Sequence, residues 1–262
     1  MDLESFNTSR ESLVPLLALN NKSNKNIIIF PTDKEAIEFS TDFSNLNKDI
    51  YHLPSWDTLS YDSFAPSLDI QGKRLEIAHL LLTTDTYNIA TSIKAIAQRI
   101  YFEELEICNI SLNEEIDFDL LIENLIHLKY QRKDRVESKG SFAIRGGQLD
   151  VFPINYDLPF RVIFDGDLVN EIKTFDTISQ RSISEKSNFL VVPATELFQI
   201  QQSDILNLSS HNKENLDDYE LFQYSQNLDL EKCLLDLTSK ATLHTVSYTH
   251  LRAHETQHYR VC

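Results

Sequence analysis

The sequence predicts an α/β chain in which a doubly wound parallel sheet is joined to an antiparallel α+β hairpin domain. Three observations carry that prediction. Apolar strand-like runs alternate with helix-period segments over roughly the first hundred residues, the pattern of a parallel sheet wrapped by helices. Four of the five glycines, Gly140, Gly146, Gly147 and Gly166, fall among β-forming residues between Lys139 and Ser182 and mark turns. An amphipathic helix with Phe118, Leu121, Ile122, Leu125 and Leu128 on one face separates the two regimes.

In chain order, residues 1–25 are polar, with one short helical run over 12–19. NIIIF, residues 26–30, is a continuous apolar run ended by Pro31, as in a strand buried on both faces. Thr32 or Asp33 caps a helix to about Phe43 whose buried face is Ala36, Phe39 and Phe43. Residues 49–53 read as a short strand. Trp56, Tyr61 and Phe64 lie in a loop pinned by Pro54 and Pro66, and Asp69 is placed to cap a helix to about Leu82. A strand over 87–91 and a short helix over 92–98 complete this part. The amphipathic helix spans 117–129, and residues 189–192 form a last buried strand. The domain boundary falls near residues 110–116.

Gly146-Gly147 between two β-rich runs signals a two-residue hairpin. It pairs Arg145 with Gln148, Ile144 with Leu149, Ala143 with Asp150 and Phe142 with Val151, leaving Phe142, Ile144, Leu149 and Val151 on one apolar face. A second hairpin follows at Gly166. A two-residue loop there opposes Val162 with Glu171, so a three-residue loop, Asp165-Gly166-Asp167, is preferred; it pairs Phe164 with Leu168 and Arg161 with Glu171. Arg145 and Arg161 then share the solvated face. Physics alone reads them first as surface charge worth little, and second as a docking patch.

The chain has 262 residues and a net charge of −16. That acidity disfavours gripping nucleic acid, which needs Lys/Arg to neutralise phosphates, and suits a basic protein surface better. The one locally basic stretch is Arg132, Lys133, Arg135, Lys139 and Arg145. No apolar run approaches the ~20 residues of a membrane span, and no signal peptide opens the chain. Cys108, Cys233 and Cys262 are widely spaced, without C-x-x-C, which argues against a disulfide framework or zinc site and for a reducing, cytoplasmic setting.

G-S-F-A-I-R-G-G-Q-L-D-V-F-P, L-P-F-R-V-I-F-D-G-D and F-D-x-x-x-Q-R-S resemble the second domain of the UvrB family. Upstream, L-P-S-W-D-T-L-S-Y-D-S-F-A-P-S-L-D-I-x-x-x-R-L resembles the N-terminal UvrB-like module of the bacterial transcription-repair coupling factors. The resemblance implies a degenerate helicase-like first domain with the hairpin domain inserted into it: residues 1–113, then 114–200, then a return segment over 201–245. It implies a recruitment module that binds UvrA in transcription-coupled nucleotide excision repair, with Arg145 and Arg161 as contacts. Asp165 stands where the family carries an exposed aromatic, which implies a weaker or rearranged contact. Arg161→Ala is then expected to abolish or sharply weaken UvrA binding while leaving the melt nearly unchanged. RNA polymerase and double-stranded DNA are partners implied only through domains outside this sequence; no membrane is implied.

Catalytic chemistry is not expected. No G-x-x-x-x-G-K-[ST] occurs and the first 71 residues contain no glycine, so ATP is implied only for motor domains elsewhere in the family's chains, with no cofactor here. No histidine lies between His127 and His211, so the carboxylates Asp150, Asp165, Asp167 and Glu171 have no triad partner and read as turn residues. Trp56, Tyr61 and Phe64 read as loop packing before base stacking, and Arg74 as a structural ion pair. The alternatives are a UvrB-type excinuclease fragment or a damage-probing DNA-binding module. Residues 246–262 resemble translated sequencing-adapter sequence. They are set aside as artefactual, His250, His254 and His258 included, and the natural chain is expected to continue beyond about Thr245.

Overall fold

The computed structural model describes residues 2–6, 24–45, 49–58, 64–98, 105–197 and 242–246, which group into two compact units. The helix expected over 12–19 and the histidines of the tail lie outside the described residues.

The first unit comprises described residues up to 55, with 79–98 and 242–246. It is built on five parallel strands: β1 (Asp2–Phe6), β2 (Lys25–Phe30), β3 (Tyr51–Leu53), β4 (Tyr87–Ser92) and the last described strand, β13 (Thr242–Val246). Their order is β1-β13-β2-β4-β3. Ile27, Ile28, Ile29 and Phe30 are all buried, as a strand covered on both faces requires. Helix α1 (Asp33–Ser44) starts at a capping box. The Glu35 N–H donates to Thr32 Oγ1 and the Thr32 N–H to Glu35 Oε2, both at 3.3 Å. Ala36, Phe39 and Phe43 then pack on Phe30 and Ile28. Helix α3 (Ile93–Ala97) is capped by the Ser92 hydroxyl, which accepts from the Ala95 N–H at 3.0 Å. Strand β13 lies between β1 and β2, and of the return segment expected over 201–245 only its last residues are described. The strand takes in Val246, one residue past the boundary drawn from sequence.

Helix α2 (Leu68–Thr83) groups with the second unit as far as Ala78, and Ser67, not Asp69, accepts its first-turn N–H, from Ile70 at 3.4 Å. The second unit contains β5 (Cys108–Ser111), α4 (Phe118–His127), β6 (Gln131–Arg132), β7 (Ser141–Arg145), β8 (Gln148–Phe152), β9 (Phe160–Asp165), β10 (Leu168–Phe175), β11 (Ser182–Glu185) and β12 (Asn188–Val191). Six of these strands form one sheet, β11-β10-β9-β8-β7-β6, antiparallel except for β6 with β7; β5 and β12 form a separate antiparallel pair. One face of the sheet meets Leu121 and Leu125 of α4 in a core of Phe142, Leu149, Val151, Phe160, Val162, Phe164 and Phe189.

The first hairpin has the register read from sequence, pair for pair. The second does not. Its loop has two residues, with Asp165 opposite Leu168 and Phe164 opposite Val169. A bulge at Asn170 then shifts the register, so that Ile172 opposes Val162 and Lys173 opposes Arg161. The extra residue removes the Val162–Glu171 mismatch that argued against the short loop, because it moves Glu171 to the other face.

The boundary also moves. Described residues 56–58 and 64–78 belong with the second unit, which reaches back to β5, instead of with residues 1–113. Buried Glu196 explains why. Its carboxylate accepts from Trp56 Nε1 and Arg74 Nε, both at 2.6 Å, and its N–H donates to Gln71 Oε1 at 3.0 Å. At Gly72 a methyl group would lie 2.8 Å from the Asn155 nitrogen, so only glycine lets α2 approach that closely. The partners of Glu196 stand more than a hundred residues from it in sequence and leave no periodic signal.

Candidate docking face

The face of the six-stranded sheet opposite the main core carries the residues singled out from sequence. Strand alternation and register place Arg145, Gln148 and Ile163 in one row and Ala143, Asp150, Arg161, Lys173 and Glu185 in the next. Arg145 and Arg161 therefore do share a face, two strands apart.

That face is not the open, solvated one expected. Val136, Ala143, Phe152 and Phe175 form a second small core on it, under the segments 133–138 and 176–181. Arg161 is caught at its edge. Its Nε and Nη2 donate to the two Asp150 carboxylate oxygens at 2.7 and 2.8 Å, and Nη1 donates to the Gln180 carbonyl at 3.2 Å. The guanidinium stands 4.5 Å from the centre of the Phe175 ring. Only 17% of the Arg161 side chain and 4% of Asp150 remain exposed. Hydrogen bonding to Asp150 raises the guanidinium above its ordinary value, so it is a permanent cation. Arg145 differs: it is exposed and donates through Nη2 to the Asp134 carbonyl at 3.1 Å.

Asp165 is exposed at the end of β9, while Phe164 is buried against Phe118 at 4.9 Å between ring centres. Gly146 (φ 60°) and Gly166 (φ 62°) supply the left-handed turn positions. Gly147 has a different reason to be glycine: a Cβ there would lie 2.9 Å from the Phe164 carbonyl oxygen on β9.

Sequence reasoning missed four residues that build this face: Arg135, Asp150, Phe175 and Gln180. The F-D-x-x-x-Q-R-S motif was the signal for Phe175 and Gln180. Phe175 is the ring beneath Arg161. Asp176 closes the turn by accepting from the Ser179 N–H at 2.7 Å, and Gln180 gives Arg161 a carbonyl while its amide donates to Val136 O at 3.3 Å. Among the described residues no cluster of His, Cys, Asp and Glu is placed to hold a metal ion, and no helix is long and apolar enough to cross a membrane.

The sheet thus buries one face and, on the other, holds Arg161 and Arg145 against carbonyls of two short segments. Residues 108–197 match the UvrB interaction domain family. The chain is 31% identical over 169 residues to the transcription-repair-coupling factor of Mycobacterium bovis, covering 61% of this chain and 14% of that protein. It is 29% identical over 174 residues to that of Escherichia coli, covering 65% and 15%. UvrABC system protein B of Lactobacillus johnsonii is 26% identical over 172 residues, covering 64% and 26%. The chain thus carries a UvrB-like interaction module. The chain spans about a seventh of the length of the transcription-repair-coupling factors it matches.

Proposed function

We propose that this module recruits UvrA, the partner implied by its UvrB-like domain, in transcription-coupled nucleotide excision repair. The observation that carries the reading is the arginine face itself, within the matched residues 108–197. Arg145 is exposed there, and Arg161 is fixed in place with an edge open to solvent. Arg145, Arg161 and the exposed Asp165 are the contacts, Asp165 standing at the rim. Arginine held by other groups before binding loses little freedom on docking, which favours its use at an interface.

The module does this without chemistry of its own. The turn from β2 into α1, where a phosphate-binding loop would open a helix, is instead capped by the Thr32 hydroxyl and carries Asp33 and Glu35, two carboxylates that repel phosphate. RNA polymerase and DNA are partners for other parts of a longer protein, and the setting is the cytoplasm. A damage-probing loop built on Trp56 is disfavoured, since that indole is buried with its N–H on Glu196. The test is UvrA titration against the chain and Arg145→Ala. Arg145 is exposed and makes one hydrogen bond, to a neutral carbonyl in contact with solvent, so its loss should weaken binding about tenfold or more while changing stability by less than about 1 kcal/mol. Equal affinity for the two chains refutes the face.

A further inference from the structure

Ile178 is the most exposed of the described large apolar side chains, at 86%. An isolated exposed apolar residue normally needs no explanation. This one sits at the tip of a turn fastened from every side. The Ser179 hydroxyl donates to Asp176 Oδ1 at 2.7 Å, and the Gln180 N–H donates to the Asp176 carbonyl at 2.8 Å. The Asp176 N–H donates to the Arg181 carbonyl at 3.0 Å, closing the loop. Gln180 holds a left-handed φ of 60° and donates from its amide to the Thr177 carbonyl at 2.8 Å. Arg135 reaches across from the other segment, its Nη2 donating to the carbonyls of Thr177 at 3.0 Å and Ile178 at 2.7 Å. The Ser179 bonds also hold the Asp176 carboxyl below its usual range, so the turn stays fastened through neutral pH.

A turn built this way spends its polar groups on internal bonds and presents one apolar side chain to solvent. Around it stand Arg135, on its own carbonyl and also 3.5 Å from Glu137, exposed Arg181 three residues on, and Arg161, on the carbonyl of Gln180 and paired with Asp150. A rigid apolar knob surrounded by guanidinium groups and their carboxylate partners is complementary to an apolar pocket with a polar rim.

We propose that Ile178 is the apolar anchor of the docking face, entering such a pocket on UvrA, with Arg135 as the positioning residue that holds the turn. The proposal rests on the UvrA reading above and adds the contact that supplies its apolar burial. Because the turn is already ordered, little freedom is lost when the knob docks.

The experiment measures UvrA binding by the whole chain and by Ile178→Val, Ile178→Ala, Ile178→Asp and Arg135→Gln, with melting and sedimentation beside it. Ile178→Ala should weaken binding about tenfold or more, as for a central apolar contact, and Ile178→Asp further, with melting unchanged. Ile178→Val should stay within about threefold, since it removes one methylene. Arg135→Gln should speed amide exchange at Ser179 and Gln180 and weaken binding, which a role confined to its own charge would not do. If the unaltered chain does not bind UvrA, the docking reading itself fails. If it binds and Ile178→Asp stays within about twofold, the anchor alone is overturned. Self-association that Ile178→Asp abolishes, with UvrA affinity unchanged, also overturns it and makes a second copy the occupant.

Discussion

Arg161→Ala is the substitution on which sequence and structure disagree most sharply. From sequence it is a surface truncation with almost no effect on melting. In the structure it removes both charge-assisted bonds to Asp150, a carboxylate 4% exposed, and the cation lying on Phe175. Breaking a fully buried pair by removing one partner costs roughly 3–5 kcal/mol. This pair keeps an edge in water and Gln148 still donates to Asp150 at 3.0 Å, which brings the loss to about 2–3 kcal/mol; the ring contact adds about 1 kcal/mol. A loss of about 3 kcal/mol lowers the melting point of a domain this size by on the order of 10 °C. Trp56, the sole tryptophan, groups with this unit and reports its unfolding by fluorescence. The cycle through Asp150→Asn and the double variant isolates the pair: a coupling near 2 kcal/mol is expected, with Asp150→Asn/Arg161→Ala more stable than Arg161→Ala alone. A coupling below about 0.5 kcal/mol, or an unchanged melt for Arg161→Ala, would refute the reasoning.

Three further outcomes follow from the geometry. Gly147→Ala should destabilise by roughly 1–3 kcal/mol in urea, because its methyl meets the Phe164 carbonyl and β8 and β9 must part, whereas Gly146→Asn, in open space at φ 60°, should cost under about 1 kcal/mol. Glu196→Ala should cost about 3–5 kcal/mol by leaving the buried Arg74 guanidinium without its carboxylate, with the Trp56 emission shifted to the red; wild-type stability would remove Glu196 as the tie between 56–78 and the sheet. Burial, then the charge of Glu106, pushes the Cys108 thiol up to about 11. Since the thiolate is the nucleophile, alkylation followed on the Cys108 peptide should be slow at pH 8 and climb about tenfold per pH unit toward 11; a plateau near pH 9 contradicts that.

How much of this was legible varies with the kind of interaction. NIIIF, the Ala36–Phe39–Phe43 stripe and the Gly146-Gly147 hairpin were readable because hydrophobic period and turn chemistry are local. The bulge at Asn170 was not, since one unpaired residue has no composition of its own and declares itself only when two strands are laid together. Strands β6 and β11 are short edges, largely exposed, with no apolar alternation to find. Of the candidate site, Arg145 and Arg161 were legible through their motifs. What surrounds them was not: Asp150 looked like a turn carboxylate and is instead a buried counter-ion, and Arg135 looked like one charge in a basic run.

The second small core explains how one sheet face can combine stability with the docking role proposed for it. Val136 and Phe175 are fully buried and anchor the segments 133–138 and 176–181. Each segment then gives carbonyls to arginines of the same face: Asp134 to Arg145, Gln180 to Arg161, Thr177 and Ile178 to Arg135. A carbonyl bond holds a guanidinium in place without neutralising its charge, so Arg145 keeps a full positive charge in a fixed position. Arg161, paired with Asp150, contributes less field and more rigidity. Binding and folding should therefore separate at Arg145 and Ile178 and stay coupled at Arg161. A variant set showing that division would distinguish a docking face built on packed segments from one made of free surface charge.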